Sequence, residues 1–484
     1  MPELLLCNHQ ESFAVSQLMR LFYGDSIRVE EQKLSVGSDD LKGFSLVEDL
    51  PDSARSGRQV IVKTRLGSFY LQRVVAAELK KREIGRQLYA AFVYETGISY
   101  PWGALTGIRP TVIASEYLNQ GMPLHEVAEI LTDEWYVSDR KATLCAETAQ
   151  TEQRILKTIP DDSFLMYVGI PFCPGRCSYC SFITRDAPAR ADLLDAYVDA
   201  IIRETELFAG KNHLPVSSLY IGGGTPTSLS AEQLDRLLEG LFKYIRFLPA
   251  AEKTIEAGRP DTINRDKLKL LKKAGLTRIC INPQTFHDKS LIRIGRHHTV
   301  EDVFTAYQSA REIGFQHINM DLIAGLPGET VQDVRASVEQ ALKLEPESLT
   351  VHTLTLKRSA GLFDAERPDE SGLPLRPDVG QMLDETHVRL TRSGYKPYYL
   401  YRQKRSAGGF ENVGYARPGY ESIYNVGMMS DRRSVIGIGS GSASKNACNR
   451  AVDRLTNPRE IKTYLERYEE LAIRKRQLFQ LTEA

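Results

Sequence analysis

The chain has 484 residues, with 62 Lys plus Arg balanced by 62 Asp plus Glu, 42% hydrophobic and 26% charged. Ordinary globular composition excludes a disordered, collagen-like or membrane-embedded chain, and zero net charge excludes a global basic field that would recruit nucleic acid or an anionic bilayer. The length predicts two or three domains. The start of the chain lacks a basic stretch followed by an apolar one, and no apolar run reaches about 18 residues, so a cytoplasmic protein with no membrane span is expected. The seven cysteines are an odd number, and Cys7, Cys145, Cys280 and Cys448 stand apart. That is no disulfide framework and fits a reducing compartment.

Residues 1–155 read as a separate α+β domain of unknown role. It has short strands at Gln59 to Lys63 and Ser68 to Leu71 and helices at Val75 to Tyr94 and Asp139 to Ile155. The turn formers at 100–111 read as a loop before a helix from Thr111 to Leu118.

From Phe164 the pattern changes to short apolar runs alternating with amphipathic helices, the signature of βα repeats and a parallel sheet. Strands are expected at Phe164 to Ile170, Ser217 to Ile221, Lys253 to Ala257, Thr277 to Ile281, His317 to Ile323 and Ser348 to Val351. Helices are expected at Ala191 to Leu207, Ala231 to Tyr244, Val300 to Ile313 and Thr330 to Leu342. Six such units fall short of a complete barrel, so the predicted fold class is α/β: a partial (β/α)6 barrel over 156–358, with chemistry at the C-terminal ends of its strands. After a Pro/Gly-rich connection, Arg358 to Pro377, residues 359–484 form an α+β extension and a candidate substrate cover. It holds a helix at Val379 to Ser393, a tyrosine-rich run at 394–402, and a charge-laced surface helix from Pro458 to about Leu481.

Cys173, Cys177 and Cys180 lie within eight positions, directly after the first barrel strand. A structural zinc site asks for four closed ligands, and no second cysteine pair or nearby histidine pair supplies them. An iron–sulfur cubane held by three thiolates leaves one iron open to a small molecule. Later strands each end in polar residues. The second ends in Gly-Gly-Gly-Thr-Pro-Thr (222–227), which reads either as backbone donors for an acceptor or as a tight turn. The next three place Glu256, Gln284 and Asp321 at successive ends, and together these favour a polar ligand.

The C-x3-C-x2-C loop after a barrel strand resembles that of the radical S-adenosylmethionine (SAM) superfamily. Segment by segment the chain is similar to the oxygen-independent coproporphyrinogen III oxidase group. The resemblance rests on Tyr167 to Cys173, Gly222 to Thr227, Glu256, Gln284 to Phe286, Gly295 to His298 and Asp321 to Thr330. It covers about residues 164 to 358. The N-terminal extension, the Leu105 to Thr111 segment and the Phe410 to Gly419 stretch most resemble its HemZ-like branch.

This resemblance implies a 4Fe-4S cluster on Cys173, Cys177 and Cys180, with SAM on the fourth iron and cleaved to a 5′-deoxyadenosyl radical. Tyr167 and Tyr179 would line the SAM pocket, and Gly223, Gly224 and Thr225 would contact its methionyl part. Glu256, Gln284, Arg296 and Asp321 would hold its amino, ribose and carboxylate groups. It also implies an electron donor such as flavodoxin or ferredoxin, and a tetrapyrrole substrate. Tyr167 is the one residue with a candidate catalytic role.

Two positions depart from the group: Phe182 stands where a fourth cysteine is expected, and Gly169 where a histidine is expected. Three functions stay open. The first is oxidative decarboxylation of coproporphyrinogen III to protoporphyrinogen IX, with Arg402, Lys404 and Arg405 as candidate cations for its carboxylates. The second is haem binding or haem chaperoning, with His297 and His298 as candidate iron ligands. The third is radical SAM methyl transfer to, or degradation of, another tetrapyrrole.

Overall fold

The structure, a computed structural model, describes residues 4–23, 29–32, 43–50, 58–105, 109–180, 185–186, 191–210, 214–355, 376–403, 409–447 and 452–481. The chain divides into two compact units, Met1–Gln150 with Arg402–Phe410, and Thr151–Tyr401 with Glu411–Ala484.

The first unit carries a five-stranded sheet of β1 (Leu4–Cys7), β2 (Val29–Gln32), β3 (Gly43–Asp49), β4 (Gln59–Leu66) and β5 (Phe69–Ala76), ordered β2-β1-β3-β4-β5. In β4 the residues Val60, Val62, Thr64 and Leu66 alternate inward, the period of a strand with one wet face. Val75 lies in β5, paired with Val60, and not in the helix expected from it. The β-branched pair Val74–Val75 follows the strand period of the hairpin, and the helix begins only at Lys80 and runs to Thr96.

The second unit is built on an eleven-stranded sheet. Its centre is the expected six parallel strands: β6 (Phe164–Ile170), then, beyond the short pair β7 (Phe172–Cys173) and β8 (Arg185–Asp186), β9 (Leu214–Gly223), β10 (Ile245–Glu256), β11 (Arg278–Cys280), β12 (Ile318–Ala324) and β13 (Ser348–Thr353). Each of the six after the first pairs in parallel with its predecessor, which is the partial (β/α)6 barrel. Capping boxes at Ser230, Thr299 and Thr330 start three of the surrounding helices sharply, which holds the strand-to-helix loops in place at the rim.

The C-terminal residues do not stand apart from this sheet, as a separate extension would, but lengthen it at both edges. β14 (Lys396–Arg402) and β15 (Glu411–Ala416) join through the antiparallel pairing of β15 with β13. β16 (Val435–Ile438) runs parallel to β6, followed by β17 (Ala443–Asn446) and β18 (Asp453–Thr456). The last helix, Ile461–Leu478, is not simply a surface element: Ile461, Tyr464, Leu471, Ala472 and Lys475 are buried.

One buried ion pair ties these parts together. The Glu204 carboxylate accepts from Lys475 Nζ, Tyr464 Oη (2.7 Å), Asn457 Nδ2 (3.0 Å) and the Gly439 amide (2.9 Å). Both charges are fully buried, so each depends on the other. Lys475→Met should therefore lower stability by about 3–5 kcal/mol, and the double change Glu204→Gln with Lys475→Met, which leaves no bare charge and keeps an acceptor for the remaining donors, by less. Urea unfolding followed by circular dichroism checks this, and equal losses in the two variants would contradict it.

Candidate functional site

The site is assembled at the C-terminal ends of the parallel strands. β6 leads into the cysteine loop through Phe172, which is fully buried and packs edge-on against Tyr197 at 5.3 Å. The glycine turn after β9 is stitched to that loop: Gly224 N donates to the Ile170 carbonyl at 2.8 Å, and Thr225 N to the Phe172 carbonyl at 2.7 Å. A Cβ on Gly224 would lie 2.5 Å from the Phe172 oxygen, so only glycine lets the two backbones meet. The Gly223 amide donates to Glu256 Oε2 at 3.2 Å. The Gly223, Gly224 and Thr225 amides each bond within the protein.

Cys173 and Cys180 are half-buried and Cys177 is buried. Thr225 Oγ1 lies 3.5 Å from Cys173 Sγ. Burial pushes the Cys173 thiol up to about 11, with the neighbouring Cys180 and Cys177 adding to the rise. Two further bonds shape the loop, from Cys180 N to the Cys177 carbonyl (3.1 Å) and from Ser178 N to the Ile294 carbonyl (3.0 Å). Among the described residues no three His, Cys, Asp or Glu side chains are grouped to hold a single metal ion.

Tyr167 stacks on Tyr220 and Tyr424, and those two stack on each other at 4.7 Å. Its hydroxyl lies against Gly223, where a Cβ would come within 2.7 Å. Tyr220 donates to Glu256 Oε1 at 2.6 Å. Burial raises the Glu256 carboxyl to about 7, partly opposed by the donation from Tyr220.

At the end of β11, Gln284 adopts a left-handed backbone with φ 69°, which costs a non-glycine residue energy. The strain is held by two bonds to β12, Gln284 N to the Asp321 carbonyl and Ile323 N to the Gln284 carbonyl, both 2.9 Å. Among the described residues, the buried Gln284 Oε1 and Asn282 Oδ1 atoms have no hydrogen-bond partner, and both residues are over nine-tenths buried. Such atoms in a site wall await a donor.

Asp321 accepts from Asn319 Nδ2 at 2.8 Å and faces His352 Nε2 at 3.6 Å. Burial alone would raise its carboxyl, but His352 and the donors around it hold it below the usual range. The imidazole responds in kind: burial works against its charge, and Asp321 outweighs that and raises it. Arg296 is buried, donating to Tyr179 Oη (3.1 Å) and to the Asn282 carbonyl (2.9 Å) and Gly258 carbonyl.

The structure therefore brings together Cys173 with Thr225, Tyr167 with Gly223, Gly223 with Glu256, Tyr179 with Arg296, and Gln284 with Asp321. Arg402 lies in the first unit, against the Leu105 and Gly409 carbonyls and the Trp102 ring. Lys404, Arg405, Phe182 and Cys448 lie outside the described residues. His298 is buried beside Arg296, and burial and that guanidinium hold its imidazole down to about 3. Four residues were missed. Arg259, Tyr220 and His352 stand at or near strand ends, where the rule that selected Glu256 applies equally. Tyr424 comes from a helix far along the chain, and no local signal marks it.

The radical SAM superfamily model matches residues 167–341. The chain is 41% identical over 389 residues to the oxygen-independent coproporphyrinogen-III oxidase-like protein HemZ of Bacillus subtilis, covering 77% of this chain and 76% of that protein. It is 33% identical to the haem chaperone HemW of the same organism, over 57% of this chain and 69% of that one. Among solved structures it is similar to coproporphyrinogen III oxidase (HemN) of Escherichia coli, with a TM-score of 0.54, 26% identity, and 67% and 73% of the two chains covered.

The raised Glu256 carboxyl has a consequence for stability. Its folded value, about 7, lies above the ordinary 4.5. Its contribution is therefore complete below about pH 4.5 and is lost as pH rises through about 7. Glu256→Gln in the cofactor-free protein should flatten this part of the stability profile and gain on the unaltered protein up to pH 8. Thermal unfolding across pH 4.5 to 8 checks this, and parallel curves would contradict it.

Proposed function

This chain belongs to the radical SAM superfamily, in the HemZ-like branch of the oxygen-independent coproporphyrinogen III oxidase group, and on that premise we propose that it decarboxylates coproporphyrinogen III oxidatively to protoporphyrinogen IX. The observation that carries the reading is the shared rim: three cysteines on one loop beside Glu256, Gln284 and Asp321 from three successive strands.

Cys173, Cys177 and Cys180 would hold a 4Fe-4S cluster, and the buried oxygens of Gln284 and Asn282 suit hydroxyl or amino donors of SAM. When bound, the cluster and SAM supply reductive cleavage of SAM and abstraction of a hydrogen atom from the substrate. An external electron donor of the flavodoxin or ferredoxin type would deliver the electron. Each of two propionates would lose a hydrogen atom from its β-carbon to the deoxyadenosyl radical, then one electron to an external one-electron acceptor together with CO2, and become vinyl.

The chain's own residues position and shield. Tyr167, Tyr220 and Tyr424 form a stacked aromatic cluster that packs with Leu165 and Val435 and would back the pocket. Glu256 and the Asp321–His352 pair offer acceptors and a cation on the opposite strands. Arg296 has its fork on Tyr179 and backbone carbonyls, so its role would be to shape the pocket rather than to grip a free carboxylate.

A second reading, haem chaperoning, is favoured by the similarity to a protein of that name. Anaerobically reconstituted protein with SAM, a reductant and coproporphyrinogen III separates the two. Protoporphyrinogen with matching 5′-deoxyadenosine supports the proposal, whereas haem binding without SAM cleavage contradicts it. A methylated or ring-opened product would point to another radical SAM reaction on a tetrapyrrole. Replacing any one of Cys173, Cys177 or Cys180 with Ala should abolish the brown cluster absorbance and SAM cleavage, and Cys7→Ala should leave both intact.

A further inference from the structure

Arg259 stands beside the cysteine loop with no part in the chemistry above. It follows β10 in the turn Gly258–Arg259–Pro260–Asp261 and is 3% exposed. Its Nη1 lies 3.3 Å from the Gly175 carbonyl and 3.7 Å from Cys177 Sγ. Its other two nitrogens are clamped by Asp261 at 3.1 and 3.0 Å, which fixes the plane of the guanidinium.

The clamp is one link of a longer bracket. Asp261 Oδ1 faces His298 Nδ1 at 4.0 Å, His298 Nδ1 accepts from Arg296 Nε at 3.5 Å, and Arg296 Nη1 donates to Tyr179 Oη. Two buried arginines thus reach the loop on either side of Ser178. A guanidinium remains charged at every working pH and carries its donors in a rigid fork. Hydrogen bonds and positive charge at a cluster's sulfurs stabilise the added electron, and burial removes the screening that would blunt them.

We propose that Arg259 is a positioning residue for the iron–sulfur cluster: it donates to the Cys177 thiolate, fixes the loop through Gly175, and raises the cluster's reduction potential. The proposal rests on the radical SAM reading of the site. A purely structural arginine would support the loop but leave the potential where it is.

The test is an anaerobic potentiometric titration of the reconstituted full chain, followed by electron paramagnetic resonance, with iron and sulfide determined on each sample. Arg259→Met should lower the midpoint by about 59 mV or more, a tenfold change for a one-electron couple. Arg259→Lys should restore most of the shift. Asp261→Asn, which leaves the guanidinium but removes the carboxylate that offsets it, should move the midpoint upward. That variant decides the matter if Arg259→Met does not retain a cluster. Clusters present at full iron content with unchanged midpoints in the variants that hold them, Asp261→Asn included, would overturn this proposal alone. An unaltered protein that takes up no 4Fe-4S cluster would overturn the reading beneath it, and this proposal with it.

Discussion

Two backbone hydrogen bonds, from Gly224 and Thr225 to the carbonyls of Ile170 and Phe172, hold the cysteine loop against the end of the second barrel strand. The placement of the first cysteine beside the second strand rests on them. A short loop with three thiols has no regular secondary structure to fix it, so its shape must come from neighbours. Here the neighbour is a glycine turn whose backbone can approach within hydrogen-bonding distance because no side chain intervenes. The same turn places Gly223 over Tyr167 and under Glu256, so one local feature connects cysteines, aromatic wall and carboxylate.

The charges follow from this geometry. Glu256, Asp321 and His352 sit half-buried among Tyr220, Asn319 and the strand ends. There a carboxylate either gains a cationic partner and stays ionised, as Asp321 does with His352, or lacks one and is driven toward its neutral form, as Glu256 is. A polar ligand entering such a wall would complete hydrogen bonds that the protein leaves open at Gln284 and Asn282. The left-handed backbone of Gln284 is consistent with this, since strain is retained where surrounding bonds over-determine a functional side chain.

Much of this was legible in the amino-acid order because barrel strands and their helices announce themselves by period and caps. Ala231 to Tyr244 and Val300 to Ile313 coincide with observed helices because capping boxes or sharp polar starts precede their apolar stripes. Val75 was misread because a β-branched residue at the end of a hairpin and the start of a helix carry the same local pattern. The attachment of β15 and β16 to opposite edges of the barrel sheet could not be read, since pairing partners over 60 residues away leave no trace in composition. Within the site, the cysteines, Glu256, Gln284 and Asp321 stood out by position. Arg259, three residues past Glu256, shares that position, but its contact with Cys177, distant in the chain and adjacent in space, could not be read from it.

The central claim is that these three thiolates hold a cubane with one iron left for a small molecule. Mössbauer spectroscopy of 57Fe-reconstituted protein, recorded with and without SAM, addresses it directly. The account predicts four irons per chain in the 4Fe-4S form, with one of them acquiring a distinct isomer shift when SAM is added. A spectrum that is unchanged by SAM, or that shows a cluster of another type, would contradict it.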